Sequence, residues 1–233
     1  MKGKAILNHW QLAWRRGFRS VGWFLPLIGA GIIFGAILTS LGGFQIAFLR
    51  FNALEVVLPL FVGVQAALLF APDDEPPLEL MLAKPRPLPW VLFERTAALI
   101  VIYGLIAGVA SLLVLTLPNA ESLAQTFVRW LPPTIGMIGI GVWISVSSRK
   151  ASSGVFAAVM LCGAMAVGQT VLLPRYEFMS WVMFYVQPWD VSAERYLANR
   201  LILTLIGLLT FASALGLLRD SERMLGTNQA VAQ

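Results

Sequence analysis

Hydrophobic residues in this chain gather into long unbroken runs. Six stand out, residues 21–41, 54–71, 96–117, 131–146, 155–173 and 201–218, separated by shorter polar or charged stretches. A helix that crosses a membrane needs ~20 mostly apolar residues. Barrel strands would alternate between polar and apolar positions and be about half that length. The fourth run is the shortest, and Trp130 with the Ser147-Ser148 pair extends it. The pattern predicts an all-α integral membrane protein with six transmembrane helices.

A different pattern precedes the first run. Ile6, Trp10, Ala13, Trp14 and Phe18 fall near one helical face, with Lys4, Asn8, Gln11, Arg15 and Arg19 opposite. This predicts an amphipathic N-terminal helix over residues 1–20, lying at the membrane interface with its basic residues towards anionic lipid. A plain basic topogenic tail is the alternative. The first run is too long for a signal-peptide core and lacks a clean small-x-small cleavage site, so it reads as an uncleaved helix. One membrane domain, residues 21–225, follows, and the polar tail 226–233 is expected to fray.

Composition supports lipid as the solvent. The chain has 233 residues, 58% hydrophobic and 12% charged, with a mean hydropathy of +0.77. A soluble chain is nearer half apolar and about a quarter charged. The net charge of +5 therefore points to loop asymmetry rather than to nucleic acid. With six spans, one side carries Lys2, Lys4, Arg15, Arg16, Arg19, Lys84, Arg86, Arg95, Arg149, Lys150, Arg219 and Arg223, and the other carries Arg50, Arg129, Arg175, Arg195 and Arg200. The basic-rich side is the cytoplasmic one, so both termini are expected there. A lone cysteine, Cys162, and a lone histidine, His9, leave no intrachain disulfide and no cysteine- or histidine-based metal site.

The segment 72–95, between the second and third runs, holds six of the chain's 13 prolines. Asp73, Asp74 and Glu75 suit a helix N-terminus, where carboxylates meet free N–H groups and the positive end of the dipole. Pro76 or Pro77 suits the first turn. Leu78, Met81 and Leu82 then share one face, and Pro85 ends the helix after Lys84. A short, stiff amphipathic helix follows, with an apolar face and acidic flanks including Glu79. The plain alternative is a solvated loop whose leucines rest on the headgroups.

This stretch resembles the cytoplasmic segment after the second span of ABC-2-type transporter permeases. That family has an acidic residue and a glycine before a Leu-Glu-x-Leu-Leu-like core, then a proline and a basic residue opening the next span. Glu75, Leu78-Glu79-Leu80-Met81-Leu82, Pro85 and Arg95 stand at those places, while Pro76 or Pro77 replaces the glycine. The six-span layout and the interfacial N-terminal helix match as well. The resemblance implies the membrane permease subunit of an ATP-binding-cassette exporter in a prokaryotic cell (inner) membrane, with a second permease chain beside it. The short helix would be a coupling helix seated in a separate ABC ATPase subunit. Asp73, Asp74, Glu75, Leu78, Glu79, Met81 and Leu82 would make that contact. No G-x-x-x-x-G-K-[ST] loop occurs, so Mg-ATP would bind in the partner and this chain would hold no cofactor and catalyse nothing itself. A non-transporting anchor that recruits a soluble partner through 72–95 is the other reading.

The stretch 174–199 is too apolar for an ordinary solvated loop and too short to span. It predicts a re-entrant or interfacial hairpin, and the resemblance to ABC-2-type permeases implies a lid at the outer end of the path, with Phe178, Trp181, Phe184, Tyr185 and Trp189 as its gate. An aromatic belt anchoring helix ends is the alternative. Gln65 and Gln169 fall inside runs and are possible path-lining residues, or bonds between helices. No acidic or basic residue is expected deep in a span, which disfavours an ion-coupled carrier. Pro59 is expected to kink the second span, Pro132-Pro133 to sit in the first turn of the fourth, and Gly31-x-x-x-Gly35 and Gly104-x-x-x-Gly108 to permit close helix contact.

Overall fold

The computed structural model describes residues 22–41, 53–72, 87–116, 122–173, 175–186 and 191–219, and every regular element among them is helical. These are α1 (Phe24–Leu41), a π-helical turn (Ala53–Val57) that runs into α2 (Leu58–Leu68), α3 (Leu88–Val114), α4 (Leu123–Ser148), α5 (Ala151–Val171), the short α6 (Met179–Val182) and α7 (Ala193–Leu217). Four helices, α3, α4, α5 and α7, are long and apolar enough to cross a membrane, while α1 and the π-turn–α2 unit are apolar but shorter. The expected N-terminal helix, residues 73–86, Trp189 and the tail lie outside the described residues.

Three helices begin about two turns before their apolar runs do. Helix α3 starts at Leu88, α4 at Leu123 and α7 at Ala193. Hydropathy stops at the first charge, but a helix stops only where its backbone loses partners. At α4 the start is set by a capping box: the Gln125 amide donates to Ser122 Oγ at 3.3 Å, and the Ser122 amide donates to Gln125 Oε1 at 3.0 Å. Ser192 caps α7 by accepting from the Arg195 amide at 3.4 Å. Because α4 starts early, Pro132 and Pro133 lie in its interior rather than in its first turn. Each removes one i→i−4 bond, and the carbonyls of Val128 and Arg129 lose those donors. Pro59 sits at the start of α2, directly after the π turn, where a missing N–H is tolerated. Helix α4 ends at Arg149 in the left-handed region (φ 65°), and the chain turns at once into α5.

Side-chain contacts fix the direction of each helix. The Gln65 amide donates to the Gly22 carbonyl at 3.0 Å, and a Cβ on Gly29 would meet Phe61, so α1 and α2 run antiparallel. Tyr103 bonds Gln65 and Arg95 bonds the Leu69 carbonyl, which sets α3 antiparallel to α2. Trp130 Nε1 donates to Ser111 Oγ at 3.2 Å, so α4 reverses again. Helix α4 lies parallel to α2 and α7, and antiparallel to α5. A Cβ on Gly141 would overlap the Gly63 carbonyl, one on Gly139 the Gly207 carbonyl, and one on Gly154 Ser145 Oγ. Bare glycine lets these backbones touch. By contrast Gly31, Gly35, Gly104 and Gly108 face open space.

The outward faces are apolar. Leu105, Phe156, Val167, Leu201 and Leu209 expose 65% to 69% of their surface. Contiguous exposure of this kind is unfavourable in water and ordinary in lipid, so the fold is that of a helical membrane domain.

Candidate functional site

The end of the bundle where α2 and α7 begin holds a buried polar cluster. Glu55, on the π turn, is fully buried, and Arg200, two turns into α7, is 2% exposed. They form an ion pair through Glu55 Oε1 and Arg200 Nη2. The same guanidinium donates from Nη1 to the Phe184 carbonyl and from Nη2 to the Val186 carbonyl, each at 3.0 Å. Asn199 Nδ2 donates to the Met183 carbonyl at 2.9 Å. Arg200 Cζ also lies 4.6 Å from the centroid of the Tyr196 ring. Arg129 of α4 is buried near Tyr196 too.

These bonds hold residues 183–186, which follow α6 without regular structure. All four side chains are buried. Phe184 packs over Gly136 of α4, and Met183 reaches Gly168 of α5. Tyr185 faces the Cys162 thiol without closing a well-formed hydrogen bond on it. Burial, then the neighbouring Cys162 and Glu55, push the Tyr185 phenol well above its ordinary value. Irregular backbone at such depth is tolerated only when protein satisfies its polar groups. Here side chains of α7 do so. At the rim, Arg195 meets Glu177 at 3.4 Å, both well exposed, and a pair of that kind is worth ~0–1 kcal/mol.

The aromatic residues expected to act together are thus divided. Phe184 and Tyr185 are buried in the segment 183–186, while Phe178 and Trp181, just before it, are exposed. Glu55 and Arg200 are buried charges at the ends of apolar runs rather than deep within them. Each stands near the end of an apolar run, where sequence places it in a loop or at a headgroup, and only the packing of α2 against α7 buries it. No local signal links residues so far apart in the chain. The π turn and the early start of α7, which Ser192 caps, are the features that bring them together.

At the opposite end, Arg95 joins the two helices that flank residues 73–86. Its Nη1 donates to the Leu69 carbonyl beyond the end of α2, and its Cζ lies 5.7 Å from the Phe70 ring centroid. A helix C-terminus leaves carbonyls without donors, and a cation there satisfies one and complements the dipole. The segment therefore leaves and returns at a fixed base. Its expected contact residues, Asp73, Asp74, Glu75, Leu78, Glu79, Met81 and Leu82, are themselves outside the described residues.

Between the two ends, Gln65 is 2% exposed; its Oε1 accepts from the Tyr103 hydroxyl at 2.7 Å while its amide reaches Gly22. This is a bond between three segments. Gln169 is half-buried near the end of α5. Protein-family models, characterised proteins and solved structures yield no match to this chain.

Proposed function

We propose that this chain is the membrane permease subunit of an ATP-binding-cassette exporter, with six crossings, both termini cytoplasmic, in a prokaryotic cell (inner) membrane. ATP hydrolysis would occur in a separate subunit, and a second permease chain would complete the path. The reading is carried by the segment between α2 and α3, with its acidic flank, its Leu78-Glu79-Leu80-Met81-Leu82 core and Pro85. Arg95 adds mechanical support, because it ties both ends of that segment to the bundle. If residues 73–86 take the stiff helical form their sequence predicts, a force applied there would reach α2 and α3 together. The alternating helix directions are what six crossings require, and the buried segment 183–186 lies at the end opposite Leu69 and Arg95, where an exporter would close its exit. Scarce polar lining favours a hydrophobic or amphipathic substrate.

The test is purification in mild detergent, with mass spectrometry of what accompanies the chain. A co-purifying subunit with a phosphate-binding loop is expected. Its ATPase activity in the complex should then fall when Leu78, Met81 and Leu82 are each replaced by Asp. Reproducible recovery of a soluble protein without nucleotide-binding motifs instead would establish the non-transporting anchor.

A further inference from the structure

Residues 183–186 are held differently from the rest of the bundle. Elsewhere between helices, among the described residues, a side chain holds one carbonyl of a segment, as Gln65 holds Gly22 and Arg95 holds Leu69. Here three carbonyls within four residues accept from side chains: Asn199 holds Met183, and one guanidinium holds both Phe184 and Val186. That guanidinium is in turn held by Glu55 from another helix. Glu55 rides on a π turn, an irregularity frequent at functional sites. A buried ion pair is a poor way to add stability, since well-packed apolar residues do as well, but it defines one geometry sharply and fails as a unit. The network is also incompletely satisfied among the described residues: Arg200 Nε and the Tyr185 hydroxyl lack well-formed bonds. A partly satisfied buried network is costly to keep.

We propose that Arg200, oriented by Glu55, is the latch that keeps residues 183–186 closed as a plug across this end of the bundle. Release of one side chain frees two carbonyls and leaves only Asn199 and apolar packing in place. The segment then has two arrangements, closed on Arg200 or withdrawn with its carbonyls in water. That the withdrawn state is the open exit of an exporter rests on the reading above; the latch itself does not.

A single reporter cysteine tests this. Val186→Cys is made in a Cys162→Ala background and reconstituted, as the full chain, in phosphatidylethanolamine–phosphatidylglycerol vesicles. The probe is a membrane-impermeant maleimide. Slow labelling is expected in the parent, and labelling about ten-fold faster or more in Arg200→Met and Glu55→Gln, as the open population rises. Arg200→Lys keeps the charge but loses the planar fork, so it should fall between. Ala193→Cys, exposed at the start of α7, should label equally in every background, and helix content should stay constant. Fast labelling of the parent would mean that the segment is not a plug. Unchanged slow labelling in Arg200→Lys and Glu55→Gln, with helix content retained, would mean that packing alone holds it; either result overturns the latch. If these variants behave as expected but the parent, joined to a co-purified ATPase, shows no ATP-dependent rise, the latch stands and the exporter reading falls.

Discussion

The amide of Gln65 binds α2 to α3 and to the turn before α1, so its substitution should act on stability. Gln65→Leu leaves the buried Tyr103 hydroxyl without its acceptor and should cost about 1–3 kcal/mol. Tyr103→Phe removes the hydroxyl with its need for a partner and should cost less. Their double mutant should fall short of the sum by ~0.6 to 1.7 kcal/mol, measured by denaturant titration in detergent. Tyr185 offers a pH test. Its pKa is raised in the fold, so below about pH 10 both folded and denatured states keep the proton and stability does not depend on it. Above that, the denatured state releases a proton that the folded state retains, and stability falls as pH climbs. Tyr185→Phe should therefore blunt alkaline unfolding, and part of the phenolate absorbance should appear only with the loss of helix. Of these two residues, Gln65 is legible in the sequence, because an amide amid apolar residues must find a partner. Which partner it finds is not legible, and neither is the burial of Glu55 and Arg200. Both depend on which helices touch.

Helices α4 and α7 touch backbone to backbone, and this makes glycine indispensable at some positions and optional at others. A Cβ at Gly139 would overlap the Gly207 carbonyl and Thr210 Oγ1, and one at Gly207 the Ile135 carbonyl. The backbone carbonyls cannot rotate away, so Gly139→Ala and Gly207→Ala should each cost about 3 kcal/mol by forcing the helices apart. Gly104→Ala and Gly108→Ala meet open space and gain up to ~1 kcal/mol in helix propensity. Thermal unfolding in detergent separates the two groups. If the second pair also weakens self-association, seen by cross-linking in vesicles, that face of α3 meets a second copy through its G-x-x-x-G motif. The existence of each apolar helix is plain from the sequence because lipid selects long apolar runs. The starts of α3, α4 and α7 are not. Their first two turns carry Glu94 and Arg95, Gln125 and Arg129, or Glu194, Arg195 and Arg200, which hydropathy counts as loop and the fold uses as polar helix.

At the scale of the whole molecule, the alternating helix directions make a claim about sidedness that charge alone also makes. Basic residues favour the cytoplasmic face, and the ends near Arg95, Arg149 and Lys150 are where that bias concentrates. Four helices have the length to cross unaided; α1 and the π-turn–α2 unit are shorter, and a short crossing is met by local thinning of the bilayer. Their crossing is the point to test. In a Cys162→Ala background, single cysteines at Trp23, Thr39, Ser147 and Ala193 are all placed at exposed positions. Six crossings predict that Thr39→Cys and Ala193→Cys react with an impermeant maleimide from outside intact cells, while Trp23→Cys and Ser147→Cys react only after permeabilisation. The pairing follows from packing, since Trp23 lies near Gln65 and Arg95's end of the bundle and Thr39 lies near the other. If Thr39→Cys and Trp23→Cys react from the same side, α1 does not cross. The positive-inside partition would then be an accident of composition, and the segment between α2 and α3 would lose its required exposure to an ATPase in the cytoplasm.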